Sequence, residues 1–170
     1  PTATSSSSAS ATSEVRSSPS PSGVGKTVVR WQPPLDGSPP LRRRPPGGRH
    51  RKNTYASETP ATDGERVYAS FGGNVGLFCY SREGTLVWKQ TWPPQPIYLD
   101  FGTASSPVVH DGRVYQLHDN EGESFLVALD AKTGTVAWKV SRTANEGRLK
   151  SGWATPFVWV NGLRTEIVTL

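Results

Sequence analysis

The chain has 170 residues, 34% of them hydrophobic and 19% charged, with one cysteine and a net charge of +5. That length supports one domain with a core, the lone Cys79 excludes an intrachain disulfide or a multi-cysteine zinc site, and no apolar run is long enough for a membrane span. Residues 1–53 hold nine Lys and Arg against two acids, whereas residues 54–170 hold ten against twelve, so the basic excess belongs to the first third alone.

Residues 1–22 contain ten serines and almost nothing to bury. Ordering them would go uncompensated, and they are read as a disordered spacer opening a Ser/Pro/Arg-rich arm over 1–49. Within the arm, Gly23–Thr27 (GVGKT) imitates half of a phosphate loop, but Ser20 stands where the motif needs glycine and no strand precedes it. Arg42, Arg43, Arg44, Arg49, Arg51 and Lys52 flank a Pro-Pro-Gly-Gly interruption and read as a solvated basic tail, so no nucleic-acid partner is expected. Gly25–Trp31 resembles the end of a strand, and either a divergent linker or the trace of an earlier repeat accounts for it. Residue 1 is Pro rather than Met, so the chain is read as a processed or partial product.

From residue 50 onward the sequence repeats. Thr59-Pro60, Ser106-Pro107 and Thr155-Pro156 begin three units in which Pro60 to Pro107 spans 47 positions and Pro107 to Pro156 spans 49. Each unit runs from that hydroxyl-Pro pair through a short strand to a turn, Asp63-Gly64, Asp111-Gly112 or Asn161-Gly162, and a second strand. In the first two units a third strand follows (LFCY, FLVALD), then a Gly turn and a fourth strand carrying Trp88 or Trp138. Four antiparallel strands per unit at this period make a β-propeller blade. The predicted fold is all-β: a propeller fragment of about two and a half blades, at 54–90, 103–141 and 152–170 (incomplete), after the disordered arm. Cys79, inside GLFCY, is read as a small buried hydrophobe. A tryptophan on the outer strand is too large for a hairpin to bury, so Trp88 and Trp138 are expected to lie against a neighbouring blade.

Ala128-x-Asp130-x-x-Thr133-Gly134-x-x-x-Trp138 resembles the tryptophan-docking motif of quinoprotein-type propellers, and residues 50–170 are similar to the PQQ-like β-propeller repeat proteins, a group that includes outer-membrane assembly lipoproteins and quinoprotein dehydrogenases. In the first blade the motif is degraded: Cys79, Ser81 and Gly84 replace its Ala, Asp and Thr-Gly over a shorter turn. A kelch repeat has a similar period and a double glycine like Gly72-Gly73, but the second unit has no such pair.

Candidate chemistry is sparse. The loop His118–Glu123 (HDNEGE) gathers potential cation ligands without the spacing of a calcium loop and is read as an exposed acidic hairpin loop. His50, His110 and His118 are scattered, and no nucleophile elbow or paired-carboxylate arrangement occurs. No catalytic or metal-binding residue is assigned. Short polar runs precede each first strand, and these place Tyr55, Thr103 and Trp153 near one mouth of the central channel. The resemblance implies an exported, periplasmic or extracellular protein: a noncatalytic binding or scaffold propeller whose partners are the remaining blades and envelope proteins or peptides. Its alternatives are a fragment of a PQQ-dependent dehydrogenase and, more weakly, the sensor propeller of a membrane kinase. No cofactor is expected for this chain, and PQQ only in a full-length propeller.

Overall fold

A computed structural model describes residues 53, 57–72, 75–142 and 150–170. All of these belong to one unit, Arg44–Leu170. The expectations for the arm at 1–49, for Arg51 and Lys52 and for Tyr55 lie outside the described residues.

The described residues form three antiparallel sheets in sequential order. The first is β1 (Ala61–Thr62), β2 (Arg66–Ser70), β3 (Leu77–Ser81) and β4 (Leu86–Gln90). The second is β5 (Val108–His110), β6 (Arg113–His118), β7 (Phe125–Asp130) and β8 (Val136–Ser141). The third is the hairpin β9 (Phe157–Val160) and β10 (Thr165–Val168). The described helical structure is a single 3-10 turn, Tyr98–Asp100. The repeat units read from the sequence are therefore two four-stranded blades and the inner hairpin of a third.

The first turns work as their sequences require. Asp111 and Gly112 both take positive φ, 45° and 69°, the backbone that a two-residue hairpin of matching twist needs. Asp63 and Asn161 instead accept two amides each, from Glu65 and Arg66 and from Leu163 and Arg164. The first strands β1, β5 and β9 lie side by side. A hydroxyl ladder stitches them together: the Thr59 amide donates to Ser106 Oγ at 2.9 Å, and the Ser106 amide donates to Thr155 Oγ1 at 3.0 Å. The residue before each repeat's proline thus supplies the bond to its neighbour.

The core lies in the seam between the first two blades. Tyr68, Leu77, Cys79 and Trp88 from one meet Val114, Phe125, Val127, Leu129 and Ala131 from the other. The Cys79 thiol is fully buried, and burial pushes its pKa up to about 12, so it packs as a hydrophobe. At the seam's edge the Tyr68 hydroxyl donates to Asp63 Oδ2 at 2.7 Å, and Arg66 pairs with the same carboxylate at 3.1 Å. Burial opposes the charged form of Asp63, but the hydrogen bonds from Tyr68, Arg66 and Glu65 prevail and hold its pKa at about 2, below the ordinary 3.8. A depressed carboxylate pKa stabilises the fold above the unfolded value, and the effect is lost as pH falls through the folded one. Asp63→Asn is therefore expected to be less stable than wild type at neutral pH, with the deficit shrinking between about pH 4 and 2. Urea titrations across that range check it, and a deficit constant with pH would refute the assignment.

Candidate functional site

Two places concentrate polar and aromatic side chains in space: the seam turn and the inner rim. At the seam, the turn after β7 is shaped by Asp130, whose Oδ1 accepts the amides of Lys132 and Thr133 and the Thr133 hydroxyl, at 2.8–3.0 Å. Gly134 closes the turn at φ 72°. Onto this turn falls the tryptophan of the previous blade. Trp88 Nε1 donates to the Ala131 carbonyl at 3.0 Å, the Tyr68 hydroxyl reaches the same oxygen at 3.2 Å, and Gln90 Nε2 donates to the Gly134 carbonyl at 2.8 Å. The Trp88 ring lies so close over Gly134 that a Cβ there would come within 2.5 Å of it.

The motif read as one hairpin therefore serves two directions. Asp130, Thr133 and Gly134 build the seat for Trp88. Ala128 pairs with Trp138 across β7 and β8 and faces away from Val127 and Leu129, which line the seam core. Trp138 packs on Tyr115 with ring centroids 5.9 Å apart, the same spacing as Tyr68 to Trp88, and is half-buried where Trp88 is 9% exposed. Each tryptophan follows an irregularity in register, at Cys79/Tyr80 and at Ala128/Leu129, so both outer strands bend at the same step to aim the indole. In the first blade Ser81 stands in for Asp130, its hydroxyl accepting the Glu83 and Thr85 amides.

At the inner rim, three segments that lead into the blades converge. Thr103 donates its hydroxyl to Glu58 Oε1 at 2.5 Å, Asn53 Nδ2 donates to the carbonyls of Phe101 and Thr103, and Trp153 Nε1 donates to the Gly102 carbonyl at 2.8 Å. Thr103 and Trp153 are thus one residue apart in this network. Tyr98, Phe101 and Trp153 form a chain of rings, with centroids 6.2 and 6.0 Å apart. Leu99 and Asp100 beside them hold left-handed backbone, φ 48° and 55°, which is costly for residues with a Cβ. Glu58 is 7% exposed, and among the described residues its Oε2 has no hydrogen-bond partner. Burial raises its pKa, against the Thr103 hydrogen bond and the nearby amides of Glu58, Ser57 and Gly72. Sequence reasoning missed Glu58, although it stands where the other units have Ser105 and Ala154.

The His118–Glu123 loop is not the exposed acidic loop expected. His118 is sandwiched between Trp92 and Phe125 at 4.3 and 4.6 Å, and burial, with Lys139 nearby, lowers its pKa to about 4. Asp119 pairs with Arg142 at 3.0 Å, and Glu121 accepts from the Ser151 amide and hydroxyl. Glu123 pairs with Lys139 at 2.9 Å. The linker tryptophan covers the loop, and its acids bind neighbouring segments. Among the described residues no group of three or more His, Cys, Asp or Glu is placed to hold a metal ion.

The family described as outer membrane protein assembly factor BamB matches residues 29–159, which take in both four-stranded blades. No curated protein matches the chain. Among solved structures, a europium-containing methanol dehydrogenase is 14% identical with a TM-score of 0.42, over 49% of this chain and 15% of that one. The quinohemoprotein alcohol dehydrogenase ADHIIG of Pseudomonas putida HK5 is 22% identical with a TM-score of 0.39, over 48% of this chain and 12% of that one. The chain spans only those fractions of the two enzymes.

Proposed function

The chain belongs to the PQQ-like repeat family described as outer membrane protein assembly factor BamB, and from that membership we propose that it is part of a noncatalytic binding or scaffold propeller of the bacterial cell envelope, periplasmic or extracellular. The observation that carries the reading is how the motif residues are used. Asp130, Thr133, Gly134 and Trp88 are all engaged in holding one blade on the next. The partners are the remaining blades and envelope proteins or peptides.

The described rim residues do not fit the quinone cofactor associated with this fold. PQQ carries three carboxylates, which call for converging cations, yet the described rim segments 57–58, 98–103 and 150–153 offer Glu58 and Asp100 against Lys150 alone. A quinone site in a longer protein would need groups from outside these segments. Titrating PQQ with calcium into the chain at physiological salt, with an artificial-dye assay on short alcohols, is expected to give neither saturable binding nor dye reduction. Micromolar binding would overturn the noncatalytic reading, and cytosolic fractionation of the full-length product would overturn the envelope one.

A further inference from the structure

We propose that the inner rim binds a primary ammonium group, which Glu58 accepts and the Trp153–Phe101–Tyr98 ledge flanks. Three independent observations meet there. First, Glu58 is a carboxylate at a repeat position that carries Ser105 in the second unit and Ala154 in the third, so the shared fold does not demand it. Second, it is buried with one oxygen lacking a partner, and no cationic side chain among the described residues pairs with it. Ser105, its counterpart, likewise has a buried Oγ without a hydrogen-bond partner. A buried carboxylate in that state is costly, and a donor carrying positive charge relieves it best. Third, the aromatic residues beside it are presented rather than packed away. Trp153 is 40% exposed and Tyr98 36%, on a loop whose left-handed Leu99 and Asp100 are held in a strained conformation.

Carboxylate and aromatic faces together suit an alkylammonium, which gains a charge-assisted hydrogen bond at its head and ring contact along its stem. An anion would meet Glu58 and Asp100, and a neutral alcohol would leave the carboxylate's charge uncompensated. Thr103 positions the carboxylate: it is half-exposed and its hydroxyl donates to Oε1, which leaves Oε2 for the ammonium. The opposite wall cannot grow. A Cβ on Gly72, itself at φ 75°, would press on Thr103 Oγ1 at 3.2 Å.

The proposal rests on the noncatalytic binding reading and names its ligand class. It is tested by following the indole N–H resonances of the full chain during titration with n-butylammonium chloride or n-butanol at constant ionic strength. The Trp153 signal, identified by its loss in Trp153→Phe, is expected to shift saturably with butylammonium at millimolar concentration. Butanol, or butylammonium on Glu58→Gln, should bind about tenfold more weakly or worse, since a hydrogen bond to a charged group is at stake. The Trp88 signal reports whether the seam, and so the fold, survives the substitution. If Glu58→Gln does not fold, the wild-type preference for butylammonium over butanol and its loss in Thr103→Val decide instead. Equal response to both probes, no saturable shift, or unchanged affinity in folded Glu58→Gln overturns the proposal. A chain that ignores butylammonium and also ignores PQQ loses this ligand and keeps the scaffold reading, whereas PQQ capture removes that reading itself.

Discussion

Trp88→Ala is expected to destabilise the protein by about 3–5 kcal/mol, the range for removing a large aromatic from a packed site. The indole is 9% exposed, fills the space over the Gly134 turn and donates to the Ala131 carbonyl at 3.0 Å. Its removal opens a cavity that Tyr68 and Gln90 cannot close, because both are tied to the same turn by their own hydrogen bonds. Trp138→Ala in this chain should cost distinctly less, since Trp138 packs on Tyr115 but remains half-buried. Urea unfolding of the two variants gives the comparison. Equal losses would mean that the seat on Gly134 adds nothing to what stacking on the blade's own tyrosine supplies.

Much of this arrangement was legible in the sequence, because local chemistry specifies local geometry. Asp111-Gly112 announced a hairpin and takes positive φ at both residues. The Asp130–Gly134 turn and the apolar runs around it became strands in the expected order. What the spacing could not carry is which neighbour a side chain meets. Trp138 stands four residues after Gly134 in the chain, yet the residue that lies on Gly134 is Trp88, since turn and tryptophan face different blades. The bends before both tryptophans were equally invisible, since a residue added in register leaves no compositional sign.

At the rim, Trp153 bonds to the carbonyl of the residue before Thr103, while Glu58 passed as one more polar residue of its run. The signal that would have found it is comparison across repeats at equal distance from the proline. His118–Glu123 was misjudged for the opposite reason. Its composition is that of an exposed loop, and its burial comes from Trp92 on the linker, a contact fixed only when blades assemble.

Gly134→Ala is the sharpest test of that assembly, and its effect should depend on what stands opposite. The backbone is at φ 72°, so any side chain costs about 1–2 kcal/mol in strain. Here the new Cβ would also lie 2.5 Å from Trp88 Cδ2 and 2.8 Å from Trp88 Cε3, closer than atoms can approach. The ring must leave its seat, taking the bond to the Ala131 carbonyl with it. Gly112→Ala supplies the reference, because its φ of 69° is nearly the same and a Cβ there would meet nothing within 4 Å. Gly134→Ala should therefore cost more than Gly112→Ala in the wild-type chain and about the same once Trp88 is alanine. A double-mutant cycle between Gly134→Ala and Trp88→Ala is expected to show a coupling of about 1–3 kcal/mol, whereas Gly112→Ala combined with Trp88→Ala should be additive. Additivity at Gly134 would place the cost in the backbone alone and would remove the ring from the seat that this seam is built around.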